Sequence, residues 1–152
     1  MVETGADGKL RHVAHGVLAL GGEGPIEARL MALHDGLSRE LARHRPTLIA
    51  VEEVFAARDA HAALVLGQAR GVALLTAAQA GVEVRGYPPA TIKQLVTGSG
   101  RAEKEQVGRM VSMLLGVKIE SRADATDALA AAICGLLRGG SRPELSPRRR
   151  RR

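Results

Sequence analysis

The stretch TLIAVEEVF, residues 47–55, constrains the fold more than any other part of this chain. It is a short apolar run stopped by two acids, Glu52 and Glu53, and it reads as a strand buried on both faces. Its charged end is therefore expected at the rim of a sheet. Consecutive side chains of a strand point to opposite faces, so only one of the two glutamates can serve a site on a given side. The residues alone do not choose between them.

The flanking segments give the strand its setting. MVETGADGKLRHVAHGVLAL at the start reads as two strands around a tight turn, one containing Val2 and the other lying within Leu10 to Leu20. Gly5, Asp7 and Gly8 supply the turn chemistry. Ile26, Leu30, Leu33, Leu37 and Leu41 recur at helical spacing between Pro25 and His44, with Pro46 just beyond the end. A long helix is expected from about Asp59 to Ala80, with Gly81 as its C′ residue. VEVRGYPP reads as a further strand closed by Pro88 and Pro89, followed by a short helix over Ala90 to Val96 and a flexible TGSGRA loop. A helix with Val107, Met110, Val111, Leu114 and Leu115 on one face should end at Gly116, and a last helix should run from about Asp124 to Leu137. Strands followed by strands separated by helices indicate an α/β domain with a mixed sheet flanked by helices.

Composition narrows the class. A chain of 152 residues, 45% of them apolar, is long enough for one domain with a real core. The N-terminus has no secretory pattern, and no uninterrupted apolar run reaches the roughly 18 residues of a membrane span, so a cytoplasmic protein without a membrane partner is expected. Cys134 is the single cysteine and sits in the last helical pattern, where it reads as a core thiol. The net charge of +6 suggests nucleic acid only until it is divided. Arg148 to Arg152 carry most of it, leaving 17 basic against 16 acidic residues in the first 147. Residues 139–152 read as a disordered, arginine-rich tail able to add salt-sensitive contacts to phosphates, and residues 1–138 as the domain.

The last helix carries two aspartates in ADATDALAAAI, residues 123–133. At about 100° per residue, Leu129, Ile133 and Leu136 share one side, while Asp124 shares the other with Ala128, Ala131 and Gly135. Asp127 lies about 60° from Asp124. The pattern suits a helix buried on both sides, its small-residue face close against a sheet. Taken alone, the aspartates are good helix-start residues. Glu52 changes the balance, because ligand sites in α/β sheets gather at the carboxyl ends of strands. Three carboxylates converging there would need a cation, and oxygen ligands without a His or Cys cluster suit Mg²⁺ or Mn²⁺ and metal-assisted phosphoryl chemistry.

IAVEEVF, LVLGQARGVAL, PPATIKQLVTGSGRAEKEQV and ADATDALAAAI, in this order and at these separations, resemble the RuvC family of Holliday junction resolvases over residues 1 to 138. The resemblance implies a ribonuclease H-like fold, a homodimer, four-way junction DNA as substrate and a branch-migration helicase complex as partner. It implies an endonuclease that resolves junctions by paired nicking in recombination and repair, with two Mg²⁺ ions per subunit. It matches Glu52, Asp124 and Asp127 to the family's catalytic, metal-holding carboxylates and so favours Glu52 over Glu53. Phe55 matches an aromatic that reaches the bases near the crossover, although as the only phenylalanine it also suits a core. Lys93 and Lys104 match lysines near the phosphate backbone, and Arg101 joins them by its place beside the TGSGRA loop. Gly67 and Gly71 suggest close helix packing, in the core or at a dimer interface.

One departure stands out. The family begins with a strand ending in Asp-Pro-Gly that carries its first catalytic aspartate, and residues 1–152 contain no such motif. Asp7 cannot replace it, because it lies in the hairpin turn. Two explanations compete: a start assigned too late, so that the native enzyme carries the strand, which is the reading favoured, or a chain truly shortened by one strand; the 152-residue product alone is expected to be poorly folded or without Mg²⁺-dependent cleavage. The alternatives are a junction-binding protein deficient in catalysis and another ribonuclease H-like nuclease that acts on structured RNA.

Overall fold

A hairpin opens the structure, a computed structural model that describes residues 1–22, 24–53, 59–119 and 123–139. Strands β1 (Val2–Thr4) and β2 (Leu10–His12) pair antiparallel, with Val2 opposite His12 and Thr4 opposite Leu10. Asp7 stays in the turn: its Oδ1 accepts from the Lys9 amide at 3.2 Å and lies 3.6 Å from Arg11 Nη2. The second strand is shorter than expected. Beyond His12 the amides of Val13 and Ala14 both turn to the Met1 carbonyl, where the partner strand runs out.

Helix α1 (Ile26–His44) starts directly after Pro25 and ends on Arg45 in the left-handed conformation, which halts it before Pro46. Strand β3 (Leu48–Glu52) follows, then helix α2 (Ala60–Gln79), capped by Asp59 through a 2.8 Å bond from the Ala62 amide. Gly81, at φ 67°, turns the chain into strand β4 (Glu83–Tyr87). β3 and β4 pair in parallel, from Leu48 opposite Glu83 to Glu52 opposite Tyr87. Helices α3 (Pro89–Thr97), α4 (Lys104–Leu115) and α5 (Ala123–Gly139) complete the described residues. The tail beyond Gly139 and Phe55 lie outside the described residues.

Both parallel and antiparallel pairs are present, as the sequence suggests, but among the described residues they form two separate two-stranded sheets. Helix α5 bridges them, packing on β1 and on β3 as well as on α3 and α4. Its Leu129, Ile133 and Cys134 are fully buried, together with Val111 of α4, so Cys134 is the core thiol anticipated. Apolar side chains of that size each contribute about 1.5–3 kcal/mol when withdrawn from water. The small-residue face works as expected at Gly135, where an added Cβ would come within 3.1 Å of the Ala50 Cβ and 3.3 Å of Leu48 Cδ2. Ala128, on the same face nearer the start, is exposed.

Two expectations need correction. β3 is half-buried along Leu48 to Val51 instead of buried on both faces, because a cleft runs beside it next to Leu48 and Ala50. Gly67 and Gly71 do not bring helices together within the chain, since both face open space. α2 packs on α1 and β4 by one side only. Leu64, Leu66, Leu74 and Leu75 remain exposed on it. By length and composition α2 would pass for a membrane-crossing helix, although Gln68 and Arg70 interrupt its apolar run.

Candidate active site

Glu52 is the last residue of β3, and the parallel pairing carries its exposed side chain to the carboxyl end of the strand pair. Glu53 diverges from it. Its amide continues the ladder to the Tyr87 carbonyl at 2.9 Å, and its carboxylate lies over Gly86, where an added Cβ would meet Oε1 at 2.5 Å. Glycine at position 86 is what gives that side chain room.

The second acid comes from α5. Asp127 stands near the start of that helix, and its charge reaches Glu52. The Glu52 carboxyl is held above the ordinary glutamate value, first by burial and then by repulsion from Asp127; Lys104 and Lys93 oppose the shift. Those four groups thus share one local field. Lys104 Nζ lies 3.4 Å from Asp127 Oδ2. Lys104 is placed by a capping box in which the Glu103 amide donates to Gln106 Oε1 at 2.9 Å, fixing where α4 begins.

Asp124 is exposed in the first turn of α5, and it is Asp127 whose charge acts on Glu52. Among the described residues no three His, Cys, Asp or Glu side chains close into a metal site. The structure brings the charges of Glu52 and Asp127 together, with the Lys104 ammonium at an Asp127 oxygen that a cation would take. The pair nevertheless fits a hard divalent ion: two oxygen donors, one with its proton affinity raised by the other, gain by sharing a positive charge.

The loop between α3 and α4 is tied down, contrary to the flexible loop expected. Gln94 of α3 donates from Nε2 to the Gly98 carbonyl at 2.7 Å and accepts at Oε1 from the Gly100 amide at 2.9 Å. Gly98 takes φ 81°, which only glycine adopts cheaply. Arg101 leaves this loop exposed to solvent, and Lys93 is half-buried on the helix before it. Two residues were missed in the sequence. Gln94 orders the loop, and Arg70 of α2 donates from Nη1 to the Glu52 carbonyl at 3.3 Å. The signal for Arg70 was available, because it is the only Lys or Arg in the twenty residues of α2.

Parallel strands ending in a carboxylate, a helix-borne aspartate beside it and cationic side chains around both mark an α/β protein with a rim suited to phosphodiesters. Comparison with known proteins gives the particular family. Residues 1–135 match the family described as crossover junction endodeoxyribonuclease RuvC. The RuvC of Acidiphilium cryptum is 52% identical over 130 residues, covering 85% of this chain and 78% of that protein. The RuvC of Halorhodospira halophila is 49% identical over 124 residues, covering 82% and 74%. Thermus thermophilus RuvC superposes with a TM-score of 0.80 at 35% identity, covering 92% of this chain and 85% of that one. The same protein in complex with a Holliday junction substrate gives 0.81 at 31% identity, covering 91% and 85%. This chain belongs to the RuvC family of crossover junction endodeoxyribonucleases. Its class is that of hydrolases acting on DNA, and its fold is ribonuclease H-like.

Proposed function

We propose that this chain resolves four-way DNA junctions by Mg²⁺-dependent paired nicking, with Glu52, Asp124 and Asp127 as its metal-holding and catalytic carboxylates. The observation that carries the reading is the shared rim. Glu52 and Asp127 repel one another there, and Lys93 and Lys104 answer them with positive charge. A phosphodiester brought to that rim meets both the cationic groups that attract it and the anionic pair that can hold a cation. Bound Mg²⁺ supplies Lewis acidity and a water of lowered pKa. The chain's own residues do the rest. Glu52 and Asp127 would hold the ion, with Asp124 joining them from the preceding turn of α5, and Lys104 would turn from Asp127 to a phosphate oxygen. Lys93 and Arg101 grip the backbone on either side of the tied loop, and Phe55 stacks on a base unpaired at the crossover.

The open side of α2 supports a homodimer. Leu64, Gly67, Gly71 and Leu75 follow one helical stripe, the leucines 66% and 57% exposed and the glycines without a neighbour. A second copy is the partner this stripe fits, and two copies place two rims for two nicks. A branch-migration helicase complex and a cytoplasmic setting complete the reading, both from family membership.

The family pattern has a further aspartate on a strand that precedes β1, and residues 1–152 do not include it. The test is direct. The 152-residue protein, and a version with an added first strand ending in Asp-Pro-Gly, are incubated in Mg²⁺ with four-way DNA, linear duplex and RNA-containing hybrids. Selective nicking of the four-way junction is expected, and preference for the RNA-containing hybrids would overturn the substrate.

A further inference from the structure

The peptide that joins Glu52 to Glu53, at the end of β3, is held from both sides. Its amide, on Glu53, donates to the Tyr87 carbonyl at 2.9 Å and extends the ladder with β4. Its carbonyl, on Glu52, accepts from Arg70 Nη1 of α2 at 3.3 Å. The peptide is trans, so its N–H and C=O point in opposite directions within one plane, and the two bonds grip it from opposite edges. Fixing that plane fixes the last backbone angle of Glu52 and the first of Glu53, the angles that decide how the two acids diverge. Arg70 itself is half-buried, on a helix with no acid and no other Lys or Arg. Among the described residues no carboxylate forms an ion pair with it. The charges that act on the Glu52 carboxyl are those of Asp127, Lys104 and Lys93. Arg70 is not among them, so its hold on the strand end is through the backbone.

We propose that Arg70 is a positioning residue for the candidate site, clamping this peptide from the α2 side so that the Glu52 carboxylate leaves the strand in one direction. The inference rests on the reading of Glu52 as a metal-holding carboxylate. A strand end gripped on one edge alone can swing about its last rung, and a reacting group misplaced by about 1 Å costs roughly 100-fold in rate. Arginine suits the task. Its planar fork lets one N–H hold the carbonyl while the others stay in water, whereas lysine brings a single flexible ammonium. The clamp also explains why an otherwise apolar helix carries one guanidinium where it passes the end of β3.

The experiment compares the parent with Arg70→Ala, which keeps a good helix former in place, with Arg70→Lys, and with Gln68→Ala as a control on the same helix. In the 152-residue protein, NMR reads exchange of the Glu53 amide and the Mg²⁺ concentration at which the Glu52 carboxyl signal is half shifted. In the version with the added first strand, kcat and KM are measured for nicking a four-way junction. Arg70→Ala is expected to speed Glu53 exchange, to raise the Mg²⁺ midpoint several-fold and to lower kcat about 10- to 100-fold with KM unchanged. Arg70→Lys should fall between it and the parent, Gln68→Ala should match the parent, and millimolar ethylguanidinium should move Arg70→Ala back toward the parent. A Glu53 amide that exchanges as in the parent, or one that is unprotected in the parent itself, would overturn the clamp. Faster exchange with an unmoved Mg²⁺ midpoint would overturn the positioning role, as would a change in KM alone or no response to ethylguanidinium. Altered association of Arg70→Ala by light scattering would assign the residue to the open face of α2 and overturn it equally. A parent that does not nick would count against the reading above, while the exchange and Mg²⁺ measurements still decide the clamp.

Discussion

Lys104 Nζ sits 3.4 Å from Asp127 Oδ2, an ion pair that spans from the first turn of α4 to α5 at the mouth of the candidate site. Its side chains are 70% and 38% exposed, so its stabilising effect is small, within about 1 kcal/mol. Its electrostatic effect is local: the ammonium counters the rise in the Glu52 pKa. Lys104→Met is therefore expected to move the Glu52 titration further upward, read by carboxyl NMR, while stability changes by less than about 1 kcal/mol. An unmoved titration would place Lys104 outside the site's field.

Glu52→Gln, made in the version with the added first strand, should abolish junction nicking and leave junction binding intact. Glu53→Gln serves as its comparison, since Glu53 lies over Gly86 and away from the pair. The gel-shift and cleavage assays together check it. Nicking retained by the first variant would make its carboxylate structural.

Gly135→Val tests the close approach of α5 to β3. The new side chain would press on Ala50 and Leu48, where even a Cβ is tight. Overpacking of this kind costs about 1–3 kcal/mol. Denaturant unfolding should show that loss. Because α5 carries Asp127 on the same helix, the Glu52 titration should also move.

His34 on α1 supplies a pH test. Its Nδ1 faces Asp35 Oδ1 at 3.1 Å and its Nε2 faces Gln79 Oε1 of α2 at 3.2 Å, two acceptors that both favour the doubly protonated ring. Its pKa is raised above 6.5, by the Asp35 bond first and the Gln79 bond next. A raised folded value means stability that is fully present below the unfolded pKa and lost as pH rises through the folded one. The gap in urea midpoint between the parent and His34→Ala should thus be larger at about pH 5.5 than at about pH 9. A gap of equal size at both would mean that the bond does not depend on charge.

On α2, Leu64→Glu with Leu75→Glu places charge on the open stripe. Light scattering should find the parent as a dimer and the double variant as a monomer with its helical signal retained. A monomeric parent would remove the homodimer from the reading.

Local signals made most of the elements legible. Pro25, Pro46, Asp59, Gly81 and Gly116 mark element ends through backbone chemistry that depends on near neighbours alone, and each acts within a residue or two of where the sequence suggests. Burial was less legible, because it depends on what lies beside a strand: the apolar run at β3 looks the same whether its far edge is paired or open. The site divides in the same way. Glu52, Asp124 and Asp127 could be named from a strand end and a helix start, but the hold of Lys104 on Asp127 depends on how α4 meets α5. Arg70 escaped because its bond joins residues eighteen positions apart through a backbone carbonyl, which no side-chain pattern records.

The ladder that sets Leu48 against Glu83 and Glu52 against Tyr87 also acts as a reading frame. Two identical acids follow one another at its end, and a shift of one residue in pairing turns every side chain to the other face. Removing a single residue between Pro46 and Ala50 would leave the composition of the rim unchanged and yet deliver Glu53 where Glu52 now stands, with Glu52 turned toward Gly86. In this chain the glutamate that reaches the candidate rim is chosen by phase, and an assay that only counts acids would not detect an exchange.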